Sequence, residues 1–192
     1  DAADADAVLR ALDDAASRVE AVTGNAPTVP LEVRGVDRSF SDWRKASTWP
    51  VIELPLRRLQ PRELRAAADE LVMRAAIQRD SGGEAPVWLV VGLGAWLGEG
   101  AMERSRWLDI VARGTSPTEL TSMMFLAAPE SRDTVRGFAT WLVAEKGWPR
   151  LAFLLGYLKE GQRLDVATRR AMGDQTFAEL EQVWMASTGA GE

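Results

Sequence analysis

An α+β fold, a small N-terminal sheet followed by a mostly helical remainder, is the class this sequence predicts. Three observations lead there. Two short segments near residues 31–35 and 51–54 have strand-like patterning between prolines and polar stretches. From residue 61 onward apolar residues recur at helical spacing, and glycines and prolines cut the run into successive helices. The 192 residues, 46 % hydrophobic and 27 % charged, suit one globular domain with a real core. The expected layout over 1–192 is a helix and small sheet up to residue 58, a helical portion over 59–188, and a tail at 189–192.

The first helix follows from Val8, Leu12, Ala15, Ala16, Val19 and Val22 at helical spacing between Asp4 and Ala21, with Gly24-Asn25 as its stop. Leu31 to Gly35 alternates as a half-buried strand does, and Val51 to Leu54 is a second candidate closed by Pro55. Val36 to Trp49 reads as a long connection or an irregular hairpin. Pro61 opens the clearest helix, to Arg79, with Leu64, Ala67, Ala68, Leu71, Val72, Ala75 and Ala76 on one stripe. Ser81-Gly82-Gly83 ends it. The segment from Pro86 to Leu97 is almost wholly apolar and must be buried if helical. Further helices are expected near 102–113, 117–127, 132–146, 149–159, 164–172 and 176–187.

Composition excludes several functions. The chain has no histidine and no cysteine, which removes histidine-ligated zinc, Ser-His and Cys-His catalysis, thiolate metal sites and disulfides. A net charge of −5 with dispersed Lys and Arg gives no basic footprint for nucleic acid. The longest uncharged apolar run, Ala85 to Gly98, is too short to span a bilayer. Since the first residue is Asp1, a cleaved leader is one expectation, and with it an exported location, periplasmic or secreted.

Three segments in order carry a resemblance: Asp69-Glu70-Leu71-Val72-Met73, then Pro86-Val87-Trp88-Leu89 through Val91-Gly92, then Phe138 through Leu142 to Gly147. A tail with Ala167 to Gly173 and Glu181 to Trp184 follows. Together, over about residues 60–186, they resemble the peptidase MA-like domain, a gluzincin-type metallopeptidase scaffold. That family has a helix bearing H-E-x-x-H, a P-x-W-L-x-E-G segment whose glutamate is the third zinc ligand, and a helical tail of this form. The resemblance implies a zincin-like fold for the helical portion.

The departures point away from catalysis. The resemblance places the former metal-site positions at Asp69, Met73 and Val91, and the former general-base position at Glu70. A thioether is a poor Zn²⁺ ligand, a lone carboxylate a weak one, and valine cannot coordinate. Glu70 then has no metal-bound water to activate. Arg132 stands near the place of the family's tyrosine. No metal and no cofactor is expected. Glu70 is read as a solvated residue on an amphipathic helix, whose replacement by Gln should change stability by no more than about 0.5 kcal/mol. An oxygen-ligated cation site from Asp69, Glu70 and Glu99 or Glu103 lacks the clustered spacing such sites use.

Of the eight tryptophans, Trp88, Trp96, Trp107, Trp141, Trp148 and Trp184 fall in helical segments and read as core. Trp43 and Trp49 lie in a polar connection and are the candidates for partner contact. Gly92, Gly94 and Gly98 lack a phosphate-loop register and are read as helix-packing positions. The leading functional reading is a non-catalytic pseudo-metallopeptidase domain that binds a protein or peptide in the inherited cleft, with no nucleic acid and no membrane span. The alternatives are a metal-free hydrolase using carboxylates and a structural subunit of an envelope or secreted assembly.

Overall fold

In the computed structural model the described residues are 2–25, 32–36, 51–55, 60–111, 116–120 and 128–189. Their helices are α1 (Ala2–Thr23), α2 (Pro61–Asp80), α3 (Val87–Glu99), α4 (Arg104–Val111), α5 (Pro129–Lys146), α6 (Trp148–Lys159), α7 (Leu164–Met172) and α8 (Phe177–Gly189), with a 3₁₀ turn at Pro117–Glu119. No described helix is long and apolar enough to cross a membrane.

The fold is therefore all-α, and the expectation of an α+β fold with an N-terminal sheet is corrected. Glu32–Val36 and Val51–Pro55 are extended, but among the described residues they pair only with each other, in parallel, with Glu32 opposite Val51 and Val36 opposite Pro55. Two strands cannot form a stable layer with a core face of its own. The connection between them, expected as a long link or an irregular hairpin, lies outside the described residues from 37 to 50. The described core is built by side chains of the helices and of the turns between them. The periodicity signal was sound for the helices; short alternating segments say nothing about whether a sheet is built on them.

Local chemistry explains the helix boundaries. Pro61 sits in the first turn of α2, and the Glu63 carboxylate accepts the Gln60 N–H at 2.9 Å. At α8 the Glu179 carboxylate accepts the Thr176 N–H at 2.6 Å, and Thr176 Oγ1 accepts the Glu179 N–H at 3.2 Å. The Thr176 N–H, and its hydroxyl at 2.9 Å, donate to the Glu179 carboxylate and hold that carboxyl below its ordinary range. The expected helix at 117–127 is realised only as the 3₁₀ turn among described residues.

Packing places α2 at the centre. Leu12, Ala15 and Val19 bury one face of α1, which lies along α2; α3 lies against α2 and α5. A Cβ at Gly98 would meet Ala66 O at 2.5 Å, and one at Gly94 would meet Glu70 O at 3.0 Å. Higher numbers on α3 face lower numbers on α2, so the two run antiparallel. Gly92 approaches the Val135 carbonyl of α5 in the same way, at 2.5 Å from an added Cβ. The three glycines are the close-packing positions the sequence suggested. Phe138 then anchors an aromatic cluster with Trp88 at 5.5 Å, Trp184 at 5.3 Å and Trp141 at 6.0 Å, and Phe177 meets Trp88 edge-on at 4.7 Å. Trp88, Trp141 and Trp184 are buried; Trp96 and Trp148 are partly so.

Candidate functional site

One turn of α2 carries Asp69, Glu70 and Met73, and successive residues on a helix diverge by about 100°. Glu70 therefore looks toward α3 and α5, whereas Asp69 looks toward α1. Glu70 is only 1 % exposed, so its reading as a solvated residue is corrected. One of its carboxylate oxygens takes the guanidinium of Arg74, one turn on, and the other accepts Arg132 Nη2 at 2.7 Å. The same Nη2 reaches Glu99 Oε1 at 2.5 Å, and Glu99 Oε2 accepts Arg136 Nη1 at 2.9 Å.

Charges thus alternate in a ladder, Arg74–Glu70–Arg132–Glu99–Arg136, that ties α2, α3 and α5 together. Arg136 closes its outer end by donating to the Glu99 carbonyl at 3.1 Å and to the Gly100 carbonyl at 3.0 Å and 3.1 Å. Those carbonyls belong to the C-terminus of α3, where a cation is favoured. Burial pushes the Arg136 guanidinium below its ordinary value, against the pull of Glu99 and Asp133. Arg132 is 5 % exposed, and its Nε and Nη1 are buried without a hydrogen-bond partner.

Asp69 is 4 % exposed and belongs to a different neighbourhood. Arg18 of α1 reaches Oδ1 with Nε at 2.7 Å and Nη2 at 2.6 Å, while the largely exposed Arg65 lies 3.9 Å from Oδ2. Burial raises the Asp69 carboxyl above its ordinary value, and the Arg18 hydrogen bond and charge oppose that only in part. Beside Asp69 opens a cavity of about 570 Å³ lined by Arg62, Arg65, Ala66, Leu97, the Gly98–Gly100 turn and Arg136.

The four positions singled out by sequence do not form a ligand set. Met73 and Val91 are fully buried in the apolar core, Asp69 holds Arg18, and Glu70 holds two arginines. Among the described residues no three His, Cys, Asp or Glu groups converge as a metal site would require. Glu99 does join Glu70, but through a guanidinium placed where a shared cation would sit; Glu103 is exposed. Trp43 and Trp49 lie outside the described residues.

Sequence reading missed Arg18, Arg74, Glu99 and Arg136 as parts of this arrangement. A signal was present: Glu70 with Arg74, and Arg132 with Arg136, stand four residues apart on helices and share a face. Spacing shows which charges share a face, not that the face is buried. No protein-family model matches the chain, and no curated protein or solved structure is significantly similar to it.

Proposed function

We propose that this chain is a non-catalytic binding domain, a pseudo-metallopeptidase in which charge pairs and apolar packing replace a metal centre, and that it holds a peptide or a segment of another protein. The observation that carries this reading is the state of Glu70: buried, with both oxygens occupied by Arg74 and Arg132. A general base needs a lone pair within reach of a substrate proton, and a carboxylate 1 % exposed and clamped between two guanidiniums presents none to a cavity. Arg132, near the place of the tyrosine in the resembled family, supplies one of those clamps. Valine and methionine at the other positions pack instead of coordinating. Among the described residues a ligand has room in the cavity beside Asp69, of a size that suits part of a peptide chain.

The carboxylate-hydrolase alternative has one observation in its favour, the approach of Glu70 to Glu99. Its two acids must flank an open space that admits the scissile bond, and here Arg132 Nη2 stands between them. The binding reading has the better support. Its test is incubation of the purified full chain with a mixed peptide library, followed by mass spectrometry of bound and free fractions. Retention of peptides without cleavage is expected. Cleavage that disappears in Glu70→Gln would overturn the proposal. Elemental analysis after dialysis should find well under one zinc per chain; a stoichiometric zinc would return the chain to the metalloenzymes.

A further inference from the structure

The geometry points to an acidic peptide segment as the ligand of the cavity at the α2–α3 end, with its carboxylates received by Arg62 and Arg65. The inference rests on the binding reading above and names its ligand class. Arg62, Arg65 and Arg136 line the cavity together with two carboxylates, Asp69 and Glu99. Both carboxylates are already held by arginines outside the lining, Asp69 by Arg18 and Glu99 by Arg132. Arg136 is committed to Glu99 and to the end of α3. Arg62 has no hydrogen bond or ion pair among the described residues, and Arg65, 66 % exposed, has only its 3.9 Å approach to Asp69. The two stand three residues apart on α2, on one rim of the cavity.

The chemistry therefore leaves the guanidiniums of Arg62 and Arg65 facing the cavity, while its own acids, Asp69 and Glu99, are matched by Arg18 and by Arg132 and Arg136. Guanidinium forks match carboxylates geometrically, which favours Asp and Glu side chains over diffuse charge. The rest of the lining is Ala66, Leu97 and glycine backbone, which can accept a short stretch of main chain between acidic residues.

The test uses the full chain and a short fluorescent peptide of alternating glutamate and serine, beside the same peptide with glutamine for glutamate. Fluorescence anisotropy at low salt should show saturable binding of the glutamate peptide and at least about tenfold weaker binding of the glutamine peptide, the difference shrinking as salt shortens the screening length. The double variant Arg62→Ala, Arg65→Ala changes two exposed side chains and should keep its circular dichroism and melting temperature. It should lose about tenfold in affinity for the glutamate peptide alone. Because the chain has no cysteine, Ala66→Cys carrying a bulky maleimide should block binding, whereas the same label on Ala152→Cys should not. Equal binding of both peptides, blocked by the label at residue 66, would overturn the acidic class and leave the binding-domain reading standing. Unchanged affinity in the arginine double variant, or binding of neither peptide, would overturn the inference outright. Free glutarate competing as tightly as the peptide would replace it with a small dicarboxylate and overturn the peptide assignment.

Discussion

Asp69 and Glu70 are adjacent, both acidic and both buried, yet they sit in two physically different regions. Glu70 belongs to the interior ladder, where each of its oxygens is matched by a guanidinium and water is excluded. Asp69 belongs to the rim, where a partly exposed Arg18 and an open cavity leave solvent within reach. In the interior, opposite charges are strongly coupled and an unmatched one is costly. At the rim, screening weakens the attraction, and partial burial leaves the carboxyl with a raised pKa. One step along the chain changes the electrostatic regime.

The comparison breaks most visibly at Glu70. Glu70→Gln would leave Arg74 and Arg132 facing a neutral amide, and a loss of about 3–5 kcal/mol in unfolding free energy is expected. Urea denaturation of this variant beside Asp69→Asn checks it. Equal losses in the two would show that the ladder is no more tightly coupled than the rim. This expectation replaces the near-neutral outcome that follows from reading Glu70 as solvated.

Met73 shares the face of Asp69 one turn along but lies in the dry core, fully buried. Met73→Ala should cost about 2–5 kcal/mol through lost contact and a residual cavity. A cost below about 1 kcal/mol in the same denaturation series would mean that the position collapses easily and packs loosely.

Gly98 sets the distance between the two helices on which both regions depend. An alanine there would place Cβ 2.5 Å from the Ala66 carbonyl oxygen, a backbone atom that can move only if α3 moves. Gly98→Ala should therefore destabilise by about 1–3 kcal/mol, despite the better helix propensity of alanine. A raised melting temperature would contradict so close an approach.

The smallest effect belongs to Asp69→Asn and is best seen against pH. The folded state raises the Asp69 pKa above 3.8, so it holds that proton more tightly than the unfolded chain does. The contribution of this group is most favourable below pH 3.8 and is lost as pH rises through the raised folded value. The stability difference between the parent chain and Asp69→Asn should therefore move against the parent as pH rises across that window, by less than about 1 kcal/mol in all. A difference that moves the opposite way would mean that Arg18 outweighs burial.

How much of this was legible in the chain differs by element. The helices at Pro61–Asp80, Val87–Glu99 and Leu164–Met172 could be read because their apolar spacing, proline starts and glycine stops are local properties. The absence of histidine and cysteine, and with it a whole range of catalytic chemistry, follows from composition alone. Gly92, Gly94 and Gly98 were identified as packing positions because nothing in their register suited a phosphate. The all-α class was not legible at residues 32–36 and 51–55, since alternation marks an extended segment but not the number of strands that join it. Nor could spacing show that Glu70 is buried, that Arg132 reaches it from α5, or that Asp69 turns instead toward Arg18. Those facts depend on which helix faces meet across long sequence separations: periodicity determines a helix and its apolar stripe, while the pairing of charges between helices is decided only when the stripes pack.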